Sequence, residues 1–203
     1  MKKYLVMLMM LAVAATASAK FRWGPTVGAN FLHYTWSQGL VESNMKPGFG
    51  VGLQCEVMIP GIGFGVDFGL KYVNRGGEVK FGEYEVWNSD GISNTNLRMH
   101  TVQVPANVRF KYTRMNGVEN IVAPIVFGGP QFNFNVANSK CNAINRYNVS
   151  VGLGCGLGVE LFKKYQITAG YLWDMTEDVK TRKLDDFIGS LQGWFVDFSF
   201  FIK

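Results

Sequence analysis

Past residue 19 the chain has no uninterrupted apolar run approaching the roughly 20 residues that a bilayer-crossing helix requires. That excludes a helical membrane protein. It leaves a membrane barrel open, because barrel strands carry a much weaker hydropathy signal. Histidine occurs twice, as His33 and His100, and neither has a Cys or second His at a ligand spacing, so no metal site and no cofactor are expected. The three cysteines, Cys55, Cys141 and Cys155, make an odd count that suits no closed set of disulfides. Charge is in short supply as well: the formal surplus is only +5, which does not point to nucleic acid. The glycine run Gly152-Leu-Gly-Cys-Gly-Leu-Gly158 lacks the Lys-Ser/Thr and the following helix of a phosphate loop. Glycine at every second residue instead lines one face of a strand.

What is present begins with an export signal. Lys2 and Lys3 precede an apolar stretch from Tyr4 to Ala15, and Ala17-Ser18-Ala19 supplies the small-x-small pattern of a cleavage site. Residues 1–19 are therefore expected to be a cleaved signal peptide, and residues 20–203 the mature domain. The residue after the cut is Lys20 rather than Cys, so no lipoprotein anchor is indicated.

Period-two alternation then runs through nearly the whole remainder, which predicts eight strands. They cover about 21–34, 48–59, 62–74, 100–112, 121–136, 147–161, 165–173 and 194–202. One face reads Phe49, Val51, Leu53, Cys55, Val57 in the second strand and Val149, Val151, Leu153, Cys155, Leu157, Val159 in the sixth. In the irregular fifth strand, Val122, Val126, Phe132 and Phe134 belong to the same face. No Lys, Arg, Asp or Glu enters that face in any of the eight.

The opposite face carries Glu56, Asp67, Lys71, Arg75, Arg109, Lys111, Glu160 and Asp197, with Gln54, Gln103, Asn107 and many glycines between them. A soluble barrel would bury the bulky apolar face and put charge in water. The reverse assignment, lipid outside and charge along the axis, predicts an all-β, eight-stranded antiparallel up-and-down transmembrane barrel. An open edge cannot be tolerated in hydrocarbon, and eight strands close around a lumen that side chains fill. Glu56, Asp67, Lys71, Arg109, Lys111, Glu160 and Asp197 are expected to form a lumen charge network, since an isolated buried charge is costly.

Short and long joins alternate, with tight turns at Pro60-Gly61, Arg114 to Val118 and Lys163-Lys164, and long ones at 37–46, 75–99, 137–146 and 174–192. That asymmetry is the one between periplasmic turns and extracellular loops. Trp23, Tyr34, Trp36, Tyr112, Tyr147, Trp173 and Trp194, near strand ends, are expected in the interfacial girdles. Pro105 deletes a ladder donor, and a bulge or a water is expected beside it. Cys55 and Cys155 fall on strands four apart in the ring, facing lipid on opposite walls, while Cys141 is left unpaired in an outer loop.

The run His100-Thr-Val-Gln-Val-Pro-Ala-Asn-Val-Arg-Phe-Lys-Tyr112 resembles a strand of PorT-like outer-membrane β-barrel proteins that commonly reads Glu-Ile-Pro and then Lys-Tyr. Gly128-Gly-Pro-Gln-Phe132 is similar to their Gly-Pro-aromatic strand, and Pro47-Gly-Phe-Gly-Val-Gly-Leu53 to their second strand; Gln103 stands where the family often has Glu. The resemblance implies an integral protein of the cell outer membrane and assigns no activity.

The expected function is a non-enzymatic barrel with a plugged polar lumen that acts through its extracellular loops. Its expected partners are outer-membrane lipid and lipopolysaccharide, the outer-membrane assembly machinery and an envelope or external protein. Lys140, Arg146, Lys180, Arg182 and Lys183 are the loop cations available to lipopolysaccharide phosphates, with Glu177, Asp178, Asp185 and Asp186 diluting their field. Two alternatives stand beside it. One is a small-solute pore; the other is a lipid A-modifying enzyme drawing on His33, Ser37, Ser89, Asp90 and His100 at the outer rim.

Overall fold

Each stretch of period-two alternation is a strand, and the strands close on themselves. The computed structural model describes residues 20–36, 42–59, 61–80, 95–112, 117–138, 144–176, 178–181 and 188–202. Its strands are β1 (Lys20–Trp36), β2 (Glu42–Met58), β3 (Phe64–Lys80), β4 (Thr95–Lys111), β5 (Val122–Asn138), β6 (Ile144–Arg146), β7 (Val149–Leu161), β8 (Tyr165–Asp174), β9 (Val179–Thr181) and β10 (Ile188–Phe200). Eight of them pair antiparallel in the order β1-β2-β3-β4-β5-β7-β8-β10, and β10 returns to β1. The closing seam runs from Thr26 opposite Ser199 to Trp36 opposite Gly189. The short strands β6 and β9 extend β10 beyond the wall, at the end that carries the long loops.

The facing is the expected one. Val51, Leu53, Phe64, Val66, Val108, Val126, Leu153 and Leu157 are exposed on the outside, while Glu56, Asp67, Arg109 and Asn133 are buried within. Exposed apolar area on this scale, wrapped around a closed wall, suits acyl chains as its solvent. Cys55 and Cys155 are free and lie four strands apart around the ring. Cys141 lies outside the described residues, as do residues 1–19.

Three expectations need correction. Tyr34 and Trp36 are not girdle residues: they point inward and are buried, 2% and 6% exposed. Alternation continued from Phe31 puts even positions of β1 inside, and that parity outweighs closeness to the strand end. Trp23, Tyr112, Tyr147, Trp173 and Trp194 do lie outward.

The strands also run further than their apolar pattern, β3 to Lys80 rather than residue 74 and β10 from Ile188 rather than residue 194. Hydropathy alternation ends where lipid ends. The backbone ladder needs only a neighbouring strand, so polar segments such as Asn74–Lys80 and Thr95–His100 keep pairing. Finally, of the bulge or water expected beside Pro105, no bulge forms. The β3–β4 ladder lapses between Phe68–Ala106 and Lys71–Gln103 and resumes in the same register. Shifts of register occur instead between Met45 and Gly50 in β2 and between His100 and Thr101 in β4.

Candidate functional site

Inward positions of the strand ends nearest the short turns bring charges from five strands together. Glu56 on β2 accepts from Lys111 Nζ at 2.9 Å, Arg22 Nη2 at 2.5 Å and Gln166 Nε2 at 2.8 Å, and it also accepts from Arg109. Glu160 on β7 accepts from Arg22 at 2.5 Å, Lys111 at 2.7 Å and Gln166 at 2.9 Å. Arg109 also holds Asp67 at 2.6 Å and donates to Gln166 Oε1 at 2.7 Å. Three cations face three carboxylates, so the layer is neutral. Arg22 lies over the Phe201 ring, 5.1 Å from its centroid, and Phe201 is itself buried.

Half-way along the lumen Lys71 pairs with Asp197. Around that pair, Ser199 Oγ stands within hydrogen-bond distance of Gln54 Oε1 and of Thr26 Oγ1, both at 2.9 Å, with its one proton available to either. Gln131 donates to Asn107 at 2.9 Å, and Gln103 to Asn133 at 3.1 Å. The five predicted residues Glu56, Asp67, Arg109, Lys111 and Glu160 thus form one cluster, and Lys71 with Asp197 forms a second.

A third layer lies at the long-loop end. Arg75 pairs with Asp174, and its Nη2 stands 3.4 Å from Asp178. Asp178 also accepts from the backbone N–H of Leu191 at 2.9 Å, while its own N–H donates to Gly189 at 3.0 Å. The chain after β8 therefore folds back into the mouth. Leu32, Tyr34, Trp36, Met99, Val179 and Leu191 close over it as an apolar layer, all buried.

Sequence reasoning did not select Arg22, Gln166, Asp174 or Asp178 for the network. Parity carries the signal for the first three, since each is one residue from an outward aromatic or aliphatic (Phe21, Tyr165, Trp173). No pattern marks Asp178, counted among the loop acids that dilute the cationic field but fully buried. Its position depends on a loop folding inward, which leaves no periodic trace.

Between the outer and inner ion-pair layers lies a cavity of about 50 Å³, lined among others by Asn30, Gln54, Lys71, Arg75, Asn107 and Arg109. A water needs about 10–15 Å³ on this measure, so the space suits a few waters. Arg75 Nε and Nη1 and Arg109 Nε have no partner among the described residues, and water in that cavity would serve them.

Of the rim residues, the two that are described, His33 and His100, do not come together. His33 and His100 stand on β1 and β4, separated by two strands, and contact Gln192 and Tyr72 respectively. Ser37, Ser89 and Asp90 lie outside the described residues, as do Lys140, Glu177, Arg182, Lys183, Asp185 and Asp186. Arg146 and Lys180 lie in the β6–β9 pairing. Among the described residues there is no group of three or more His, Cys, Asp or Glu able to hold a metal ion.

Comparison with known proteins agrees with this architecture. A family profile described as the outer membrane protein beta-barrel domain matches residues 4–184. The structure is similar to that of the outer membrane protein OprG from Pseudomonas aeruginosa, with a TM-score of 0.59 and 11% identity, covering 91% of this chain and 96% of that one. At such identity the likeness concerns the fold alone. Ail, the attachment invasion locus protein of Yersinia pestis, gives a TM-score of 0.46 at 13% identity, covering 90% of this chain and 99% of that one. Neisserial surface protein A gives 0.40 at 16% identity, covering 90% and 99%. No curated protein matches the chain.

Proposed function

Because the chain belongs to the outer membrane protein beta-barrel domain family, we propose that it is an integral, non-enzymatic outer-membrane barrel, sealed along its axis, that acts through its outer loops. The observation that carries this reading is the pair of buried ion-pair layers, Arg22-Glu56-Arg109-Lys111-Glu160 at one end and Arg75-Asp174-Asp178 at the other. They leave room between them for a few waters and for no solute. A lumen so filled supports a rigid stave rather than a conduit. What then differs from one such barrel to the next is the loop surface, which meets lipopolysaccharide and an envelope or external protein partner. The strand runs around Pro105, Gly129 and Pro47 support a place among PorT-like members. Residues 1–19 are read as a leader removed on export, and the intact mass of membrane-extracted protein should correspond to a chain starting at Lys20.

Planar-bilayer recording tests the sealed lumen. The purified barrel should insert without stable unit conductance. Reproducible unitary steps from the unaltered chain would replace this reading with a small-solute pore.

A further inference from the structure

The segment that folds into the outer mouth is held as a bound peptide is held. Asp178 donates its backbone N–H to the Gly189 C=O at 3.0 Å, and its own C=O accepts from the Tyr147 N–H at 3.1 Å. One carboxylate oxygen accepts from the Leu191 N–H at 2.9 Å, and the other faces Arg75 Nη2 at 3.4 Å. Val179, fully buried, fits against Gly189, where an added Cβ would lie 2.8 Å from Val179 Cγ2 and 3.3 Å from the Trp36 ring. Main-chain bonds to a strand edge give such recognition its affinity, and pockets for particular side chains give it specificity.

The wall does not depend on this segment. β9 joins β10 through two register pairs, Ile188 with Lys180 and Gly189 with Val179, whereas the closing seam of β1 and β10 runs unbroken from Thr26 to Trp36. Among the described residues β6 pairs with β9 and with no other strand. Charge balance does not require the segment either. Arg75 faces two carboxylates, and Asp174 alone neutralises it. Withdrawing Asp178 therefore leaves a balanced pair behind and frees the Leu191 N–H. The resident segment also leaves one donor of the site unmet. Trp36 is 6% exposed, yet its Nε1 has no partner among the described residues. A buried donor in that state is uncommon and costly, so the resident is not the best-matched occupant.

We infer that the outer mouth is a binding site for an extended acidic–aliphatic segment of a partner protein, with Asp178-Val179 as its resident stand-in. A partner strand carrying Asp or Glu and then a β-branched residue pairs with Ile188 and Gly189 of β10 in place of β9. Its carboxylate takes the Leu191 N–H and Arg75, and its aliphatic side chain lies where Val179 lies. The Glu56 layer stays shut beneath, so the site binds without conducting. Such a segment is the chemistry of the external protein partner proposed above, and the site rests on that reading.

The test offers the resident segment in trans. A fluorescent peptide of residues 176–183, Thr176-Glu-Asp-Val-Lys-Thr-Arg-Lys183, is titrated by anisotropy against barrels folded in zwitterionic phosphatidylcholine vesicles. Asp178→Ser with Val179→Ser in the barrel weakens the resident, raises the fraction of open mouths and should tighten peptide binding by about ten-fold or more over the parent. Asp178→Asn alone, a milder change, should tighten it several-fold in the same direction. A peptide bearing Asp178→Asn should bind the opened barrel several-fold more weakly than the native peptide. Equal affinity of the two peptides overturns the site, as does no binding to a variant that the heat-modifiable gel shift shows to be folded. Cross-linked dimers of the parent, with no peptide taken up by either variant, give the strand to a second copy and overturn the partner. A parent chain without the gel shift in vesicles defeats the membrane barrel itself, which tells that failure from the others.

Discussion

Glu56 receives hydrogen bonds from four side chains of three strands, Arg22 on β1, Arg109 and Lys111 on β4 and Gln166 on β8, and is fully buried. Removing one member of such a set leaves the others charged and unpartnered, which costs about 3–5 kcal/mol, far more than the intact set contributes over an apolar filling. Glu56→Ala should therefore lower folding stability in vesicles by about that amount. Glu56→Gln, which keeps the shape and some acceptor capacity, should lose less. Urea titrations followed by tryptophan fluorescence would check both, and an alanine variant as stable as the parent would show that water already shares the load. The acid itself was legible in the sequence, because the alternation of β2 puts it opposite Cys55 and Val57. Its four partners were not, because they lie up to 110 residues away on strands whose relative stagger only closure sets.

At the scale of the strand, β7 makes the facing testable within two residues. Leu153 is exposed to lipid, and Gly154 is buried, where an added Cβ would lie 3.0 Å from Gln131 Nε2. Leu153→Arg should cost about 2–4 kcal/mol near the midplane. Leu153→Ala should cost clearly less in the same vesicles, and equal losses would contradict the assignment. Gly193 of β10 makes a second case, at the closing seam. It sits opposite Leu32 with φ +150°, and a Cβ there would lie 3.0 Å from Leu32 Cα and closer still to the Phe31 carbonyl. Gly193→Val should slow or block closure, with a stability loss of at least about 1–3 kcal/mol. The heat-modifiable gel shift of folded barrels would read it as a smaller folded fraction. The cores of the strands were legible from period two. Their outer extensions were not, since backbone pairing above the membrane continues through polar residues that alternate with nothing.

For the whole molecule, the ion-pair layers act in series, so opening one should not open the axis. Asp178→Asn loosens the outer layer while the layer around Glu56 still blocks the other end. In planar bilayers that variant should remain without unit conductance. Combining it with Glu160→Gln, which removes a carboxylate held by Arg22, Lys111 and Gln166, should raise the leak above that of either single variant. Conductance from Asp178→Asn alone would place the whole barrier at the outer mouth.

Sequence alone determined the eight-fold alternation, the uncharged stripe and the charged one, and hence a closed antiparallel wall with lipid outside. The reason is local: side chains on a strand alternate, and hydrocarbon tolerates neither a charge nor a free edge. Tertiary structure alone decided which cation meets which carboxylate, and that Asp178 turns inward while Tyr34 and Trp36 fill the mouth. Those outcomes depend on the stagger of strands distant in the chain and on loops folding over a finite lumen, and neither repeats along the sequence.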